Sequence, residues 1–260
     1  MITPALAISI PLYIQIAEGL ISQIESGELT PGDRLPAERE LSEKLGVNRM
    51  TLRRALHVLE AQGVIVRKHG IGTYIAEPKI ERRVDTVFRF TTGMQSRGYT
   101  PGTRLISLEP IFLDAALARQ LALPVAAPAY QIRRLRTLNQ EPVLLESYTI
   151  PAGRFPGLEV HDLESRSVYE VMESEYGISI ALARQSFEPV VASAFEAELL
   201  GVRAGAPLMM EKRISFDKER CPVEYGKDLY RGDRFRFETE AVPMDFIQAG
   251  TSANPGVFSG

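Results

Sequence analysis

The strongest periodicity in the chain lies between residues 36 and 75, PAERELSEKLGVNRMTLRRALHVLEAQGVIVRKHGIGTYI. Leu41 and Leu45 stand one helical turn apart, which predicts a short helix over 37–45. Gly46 ends it, because glycine adopts positive φ at little cost. Asn48 heads a second helix that runs to about residue 62, since its side-chain oxygen can accept from the first free N–H groups. In that helix Leu52, Ala55, Leu56 and Leu59 recur at i, i+3, i+4 and i+7, an apolar stripe for packing. Asn48, Arg49, Thr51 and Arg53 stay off the stripe, near the N-terminal end. Gly63 closes the helix, and 64–75 reads as a basic hairpin with glycine in its turn.

Beyond it the pattern changes. Residues 77–86, EPKIERRVDT, are charged and contain Pro78, so they read as a linker. Alternating strand-like runs follow at 103–112, 130–138, 143–150, 180–191, 208–216, 223–230 and 235–242. Helical runs fall at 114–121 (Asp114 as N-cap), 167–176 and 194–200. A hairpin is expected around Asn139-Gln140-Glu141-Pro142. Short turns at 217–220 and 231–233 suit antiparallel neighbours. The reading is an α+β chain: a helical unit with a hairpin over 9–76, the linker, an antiparallel sheet with helices over 87–248, and a tail at 249–260 expected to be disordered. No internal repeat is found.

Composition narrows the picture. The 260 residues suit about two domains. Cys221 is the one cysteine, so no internal disulfide can form and a cytoplasmic setting is expected. No apolar run approaches the roughly 20 residues of a membrane span. The opening MITPALAISIPLY lacks the pattern of a secretory signal. The formal net charge of -3 argues against a nucleic-acid partner only if charge is spread evenly. It is not: 34–75 holds eight Lys and Arg against four Asp and Glu, an excess of four.

Two groups of residues carry candidate chemistry. A helix with Arg, Asn and Thr in its first turns suits the major groove of double-stranded DNA, with Arg49 placed for the two-point contact to guanine. In the second domain Arg134 and Arg136 share a strand face with Ile132 and Leu138. Two guanidiniums on an apolar face need carboxylates or an anionic ligand to offset their desolvation. Leu144, Glu146 and Tyr148 share a face of the next strand. Ser167 starts a helix, with Glu170 three residues on as a capping-box partner, and could serve an anion there. Thr91 and Thr92 offer hydroxyls. An internal network of Arg134, Arg136 and Glu146 is the alternative to a ligand site. His57, His69 and His161 have no metal-ligand spacing, and no cofactor-binding motif is found.

Residues 11–76, from PLYIQIAEGLISQIESGELTPGDRLPAERELS through GVNRMTLRRAL to GIGTYI, resemble the winged helix-turn-helix domain of the GntR family of bacterial transcription regulators. RRLRTLNQEPVLLESYTIP, SVYEVMESEYGI, LLGVRAGAPLMMEKRISFD and PVEYGKDLYRGDRFRFETE resemble the UTRA ligand-binding domain, over 86–246. That domain marks the HutC subfamily and shares its fold with chorismate lyase. The resemblance implies that Arg39 meets the phosphate backbone and that Asn48, Arg49, Met50, Thr51 and Arg53 begin the recognition helix. His69 and Gly70 would form the wing tip. Met50 departs from the small or polar residue of many relatives. Phe90, Thr91, Arg134, Arg136, Ser167 and Tyr169 would surround the anionic group of an effector. Glu146, Glu224 and Tyr230 would meet its polar body, Glu146 pairing with an amine where there is one. The implied function is a homodimeric repressor that leaves a palindromic operator when a small anionic effector, a sugar phosphate foremost, is bound. The alternative is an enzyme like chorismate lyase acting on a small carboxylate.

Overall fold

The computed structural model describes residues 10–68, 71–86 and 89–241. They form two compact units, divided between Lys79 and Ile80.

In the first unit, α1 (Leu12–Glu25), α2 (Glu38–Lys44) and α3 (Arg49–Ala61) precede a hairpin of β1 (Ile65–Lys68) and β2 (Gly72–Ile75). Gly46 and Gly63 both have positive φ, at 64° and 73°, where the two predicted helices stop. Asn48 caps α3 as expected, its Oδ1 accepting from Thr51 N–H at 2.8 Å. Leu52, Ala55, Leu56 and Leu59 are all buried, against Ile16, Ala17 and Leu20 of α1, Leu41 of α2, and Ile65 and Ile75 of the hairpin. The stripe therefore spends Leu52, Leu56 and Leu59 on the core, while Met50 stays exposed.

The second unit opens with β3 (Ile80–Arg83) and α4 (Phe90–Gln95). It continues with β4 (Pro101–Phe112), α5 (Ala115–Gln120), β5 (Pro128–Leu138), β6 (Glu141–Pro151), α6 (Val168–Tyr176), β7 (Leu182–Val191), α7 (Ala194–Leu200), β8 (Pro207–Phe216), β9 (Pro222–Arg231) and β10 (Phe235–Glu238). Six strands form an antiparallel sheet in the order β4-β5-β6-β9-β8-β7, and β3 pairs in parallel with β10. Side chains alternate across the sheet, so each face has its own cover. Helices α5 and α7 pack Ala118, Leu121, Ala197 and Leu200 against Ala129, Leu135, Leu145 and Leu229. On the other face α6 packs Val168, Val171 and Met172 against Ile132, Tyr148 and Ile150. Phe90 and Met94 of α4 pack there against Leu138, Leu144 and Tyr230.

Three expectations need correction. The segment 77–86 is not a linker throughout, because Ile80–Arg83 is a strand with Ile80 and Arg82 buried. A four-residue run reads as a linker when its cross-chain partner, β10, lies more than 150 residues away in sequence. The turn between β5 and β6 is the two residues Asn139 and Gln140, both at positive φ (50° and 69°), rather than four. Pro142 continues β6 beyond a register shift at Arg136/Thr137. The last strand ends at Glu238, and the tail at 249–260 lies outside the described residues.

Candidate functional site

In the first unit, the N-terminal end of α3 carries Arg49, Met50 and Arg53 on its exposed side, with Met50 72% exposed. Arg53 Nε donates to Glu38 Oε2 at 2.7 Å, and Arg54 stacks over the Tyr13 ring at 4.1 Å. Arg39 is solvent-facing, 4.0 Å from Glu43. The Asn48 carboxamide oxygen is committed to the cap. His69 and Gly70 lie outside the described residues. What remains is a helix end presenting cations, an amide and an apolar side chain to solvent, the donor set that base edges and phosphates require.

In the second unit, α4, α6 and four central strands enclose a small cavity. It is lined by Arg89, Phe90, Thr91, Arg134, Arg136, Glu146, Tyr148, Ser167, Tyr169, Arg213, Asp228 and Tyr230. Its volume is about 20 Å³, room for one water. The sheet register explains the convergence: Arg134 faces Glu146 across β5–β6, Leu144 faces Tyr230 across β6–β9, and Glu211 faces Asp228 across β8–β9. Eight of the nine effector candidates line the cavity. Glu224 does not: its Oε1 accepts from Tyr169, Ser215 and Arg213, and no part of it reaches the surface.

The charges are held unequally. Arg134 donates to Glu146 Oε2 through Nε (3.1 Å) and Nη2 (2.7 Å), and to the carbonyls of Leu163 and Arg166. Glu146 is thus already paired. Burial opposes its ionisation, but Arg134 and Arg136 outweigh that and hold its carboxyl below the usual range. Arg136 is held more loosely, giving one hydrogen bond to Thr91 Oγ1 at 2.8 Å and lying 3.7 Å from Glu146. Its guanidinium sits 4.4 Å from the Phe90 ring centre, and its Nε is buried without a hydrogen-bond partner. Ser167 makes no cap bond to its own helix, so the expected capping box is not formed.

Four lining residues, Arg89, Tyr148, Arg213 and Asp228, are not among the sequence candidates. Tyr148 stands between the guanidiniums of Arg134 (5.4 Å) and Arg213 (5.6 Å). Arg213 donates to Glu224 through Nε and to Asp228 through Nη1, each at 2.9 Å. It can lie there because Gly226, its register partner, has no side chain: a Cβ would come within 2.6 Å of Nη2. Burial, with Glu211 and Glu146 adding to it against Arg213, pushes the Asp228 carboxyl up to about 7. Of the four arginines in the lining, Arg134 is paired with Glu146, Arg213 with Glu224 and Asp228, and the exposed Arg89 with Glu173 at 3.2 Å, which leaves Arg136 as the loosely held cation that an anion would satisfy.

The sequence profile of the UTRA domain matches residues 96–236, and that of the bacterial regulatory proteins of the gntR family matches 12–75. The transcriptional repressor NagR of Bacillus subtilis is 39% identical over 228 residues, 88% of this chain and 93% of NagR. The chain belongs to the GntR family. The repressor PhnF of Mycolicibacterium smegmatis is 35% identical over 207 residues, 79% of the chain and 83% of PhnF. The crystal structure of PhnF from Mycobacterium smegmatis superposes with a TM-score of 0.63 at 31% identity, covering 89% of this chain and 99% of that one. The order of the two domains fits the HutC subfamily, and this GntR regulator is a DNA-binding transcription regulator rather than an enzyme. Among its described residues no helix is long and apolar enough to cross a membrane.

Proposed function

We propose that this GntR regulator is a repressor that binds a palindromic operator as a homodimer and releases it when a small anionic effector, foremost a phosphorylated sugar, enters the cavity under α4 and α6. The observation that carries the ligand class is the loosely held Arg136, with a partnerless buried Nε, in a lining that holds three further arginines. Ser167, Thr91 and Arg134 supply further donors to the anionic group. Glu146, Asp228 and the Tyr230 hydroxyl suit the hydroxyls of a sugar ring. Glu224 supports the site through Tyr169 rather than by contact. In the first unit Arg49, Arg53, Met50, Thr51, Asn48 and Arg39 are the DNA-contacting set, and the wing tip at His69 and Gly70 completes it.

A dimer fits this reading because two recognition helices on one duplex face read two half-sites a helical turn apart. The test is calorimetry of the purified chain with glucose 6-phosphate, glucosamine 6-phosphate, inorganic phosphate and glucose. Binding of phosphorylated sugars with no binding of glucose supports an anion-centred site. Glucose binding as tightly as its phosphate would remove Arg134 and Arg136 from that role.

A further inference from the structure

One carboxylate stands between the cavity and strand β3. Glu211, fully buried on β8, accepts at both oxygens from the terminal nitrogens of Arg82 on β3, at 2.6 and 2.9 Å. The same Oε2 accepts from the Tyr230 hydroxyl at 3.0 Å, and Oε1 lies 3.4 Å from Nη1 of Arg213. Tyr230 and Arg213 both line the cavity. The Tyr230 ring also lies against the Arg82 guanidinium, 4.7 Å from its centre, with Phe237 at 5.4 Å and Phe187 at 5.6 Å. Among the described residues, three rings and the Glu211 carboxylate surround Arg82, and two cavity side chains help to hold that carboxylate. A buried guanidinium in such a place is tolerated only while its partner stays put.

The cavity's size gives this arrangement its consequence. At about 20 Å³ it is far below the roughly 300–1,000 Å³ of sites that enclose small organic ligands. A ligand larger than water must displace lining side chains. Ligand oxygens would compete with Glu211 for the Tyr230 hydroxyl and the Arg213 N–H groups. Strand β3 begins at Ile80, the first residue after the N-terminal unit.

We propose that Glu211 and Arg82 are positioning residues that carry occupancy of the cavity to strand β3. A ligand that draws Tyr230 and Arg213 from Glu211 opens the Arg82 cage and loosens β3 from β10. This rests on the reading of the cavity as the effector site. It supplies what any effector response needs, two arrangements that the ligand binds unequally.

Hydrogen–deuterium exchange of the full chain tests it, with calorimetry alongside. The reporters are the amides of Ile80 and Val84, which donate to Arg234 O at 2.7 Å and Glu238 O at 3.0 Å. Saturating glucose 6-phosphate should speed their exchange about tenfold or more, the scale set by one lost charge-assisted hydrogen bond. Arg82→Lys should exchange fast there without the sugar phosphate and gain little with it, while binding it within about threefold of the wild type. Binding without any change at Ile80 and Val84 overturns the relay and leaves the cavity reading intact. A wild-type response in Arg82→Lys also overturns it. If neither glucose 6-phosphate nor inorganic phosphate binds, the cavity reading fails and the relay with it. The wild-type measurement stands even if Arg82→Lys does not fold.

Discussion

Arg134 and Arg136 face the same cavity but do different work. Arg134 is locked onto Glu146 and two carbonyls, so Arg134→Ala would leave a buried carboxylate with only a distant partner. Losing one member of a buried pair costs about 3–5 kcal/mol. Urea denaturation should show that loss, and an unchanged midpoint would mean the pair adds nothing. Arg136 has one hydrogen bond to give up, to Thr91. Arg136→Gln should therefore weaken glucose 6-phosphate binding about tenfold or more with little change in melting temperature. Equal affinity in calorimetry would place Arg136 outside the site. On the DNA side Arg49→Ala should cost about 1–3 kcal/mol of discrimination between operator and random duplex, measured by anisotropy at one salt concentration. The placement of these arginines was readable from the chain, because alternation along a strand puts 134 and 136 on one face. Which of them is spoken for was not readable, since Glu146, Leu163 and Arg166 become its partners only once β5, β6 and the segment before α6 are packed together.

At the scale of elements, local chemistry sets the first unit. The cap at Asn48, the stripe of α3 and the two glycine stops all lie within eighteen residues, and each forms as its spacing predicts. Asn48→Ala should cost about 1 kcal/mol through the lost cap alone. In the second unit the informative element is β9. Gly226 has an ordinary extended place in the strand, yet a Cβ there would meet Arg213 Nη2 at 2.6 Å and Glu224 Oε2 at 3.0 Å. Gly226→Ala should push Arg213 off β9, lowering both the melting temperature and the affinity for glucose 6-phosphate. A variant with wild-type values for both would show that Arg213 has room elsewhere. Nothing in the local sequence around 226 marks this glycine, because no turn or positive φ requires it. The cause is a side chain from the neighbouring strand.

Across the whole second unit, buried charge couples the structure to pH. The Asp228 carboxyl, ordinarily at 3.8, is pushed up to about 7 by burial beside Glu211 and Glu146. Between those values the folded chain keeps a proton that the unfolded chain has released. The contribution of Asp228 to stability therefore falls as pH rises through that window, and levels off above it. Asp228→Asn cannot titrate, so its melting temperature relative to the wild type should climb from about pH 4 to about pH 7. A constant difference across that range would show that Asp228 does not titrate there. The sequence by itself determined the helix-turn-helix, the run of antiparallel strands and the shared face of Arg134 and Arg136, because caps, turns and periodicity act over a few residues. Tertiary structure alone decided that β3 is a strand, that Glu224 lies behind Tyr169, and that Tyr148, Arg213 and Asp228 complete the cavity. Those outcomes depend on which strands become neighbours and in what register, so residues distant in sequence share one buried space and must balance one another's charge.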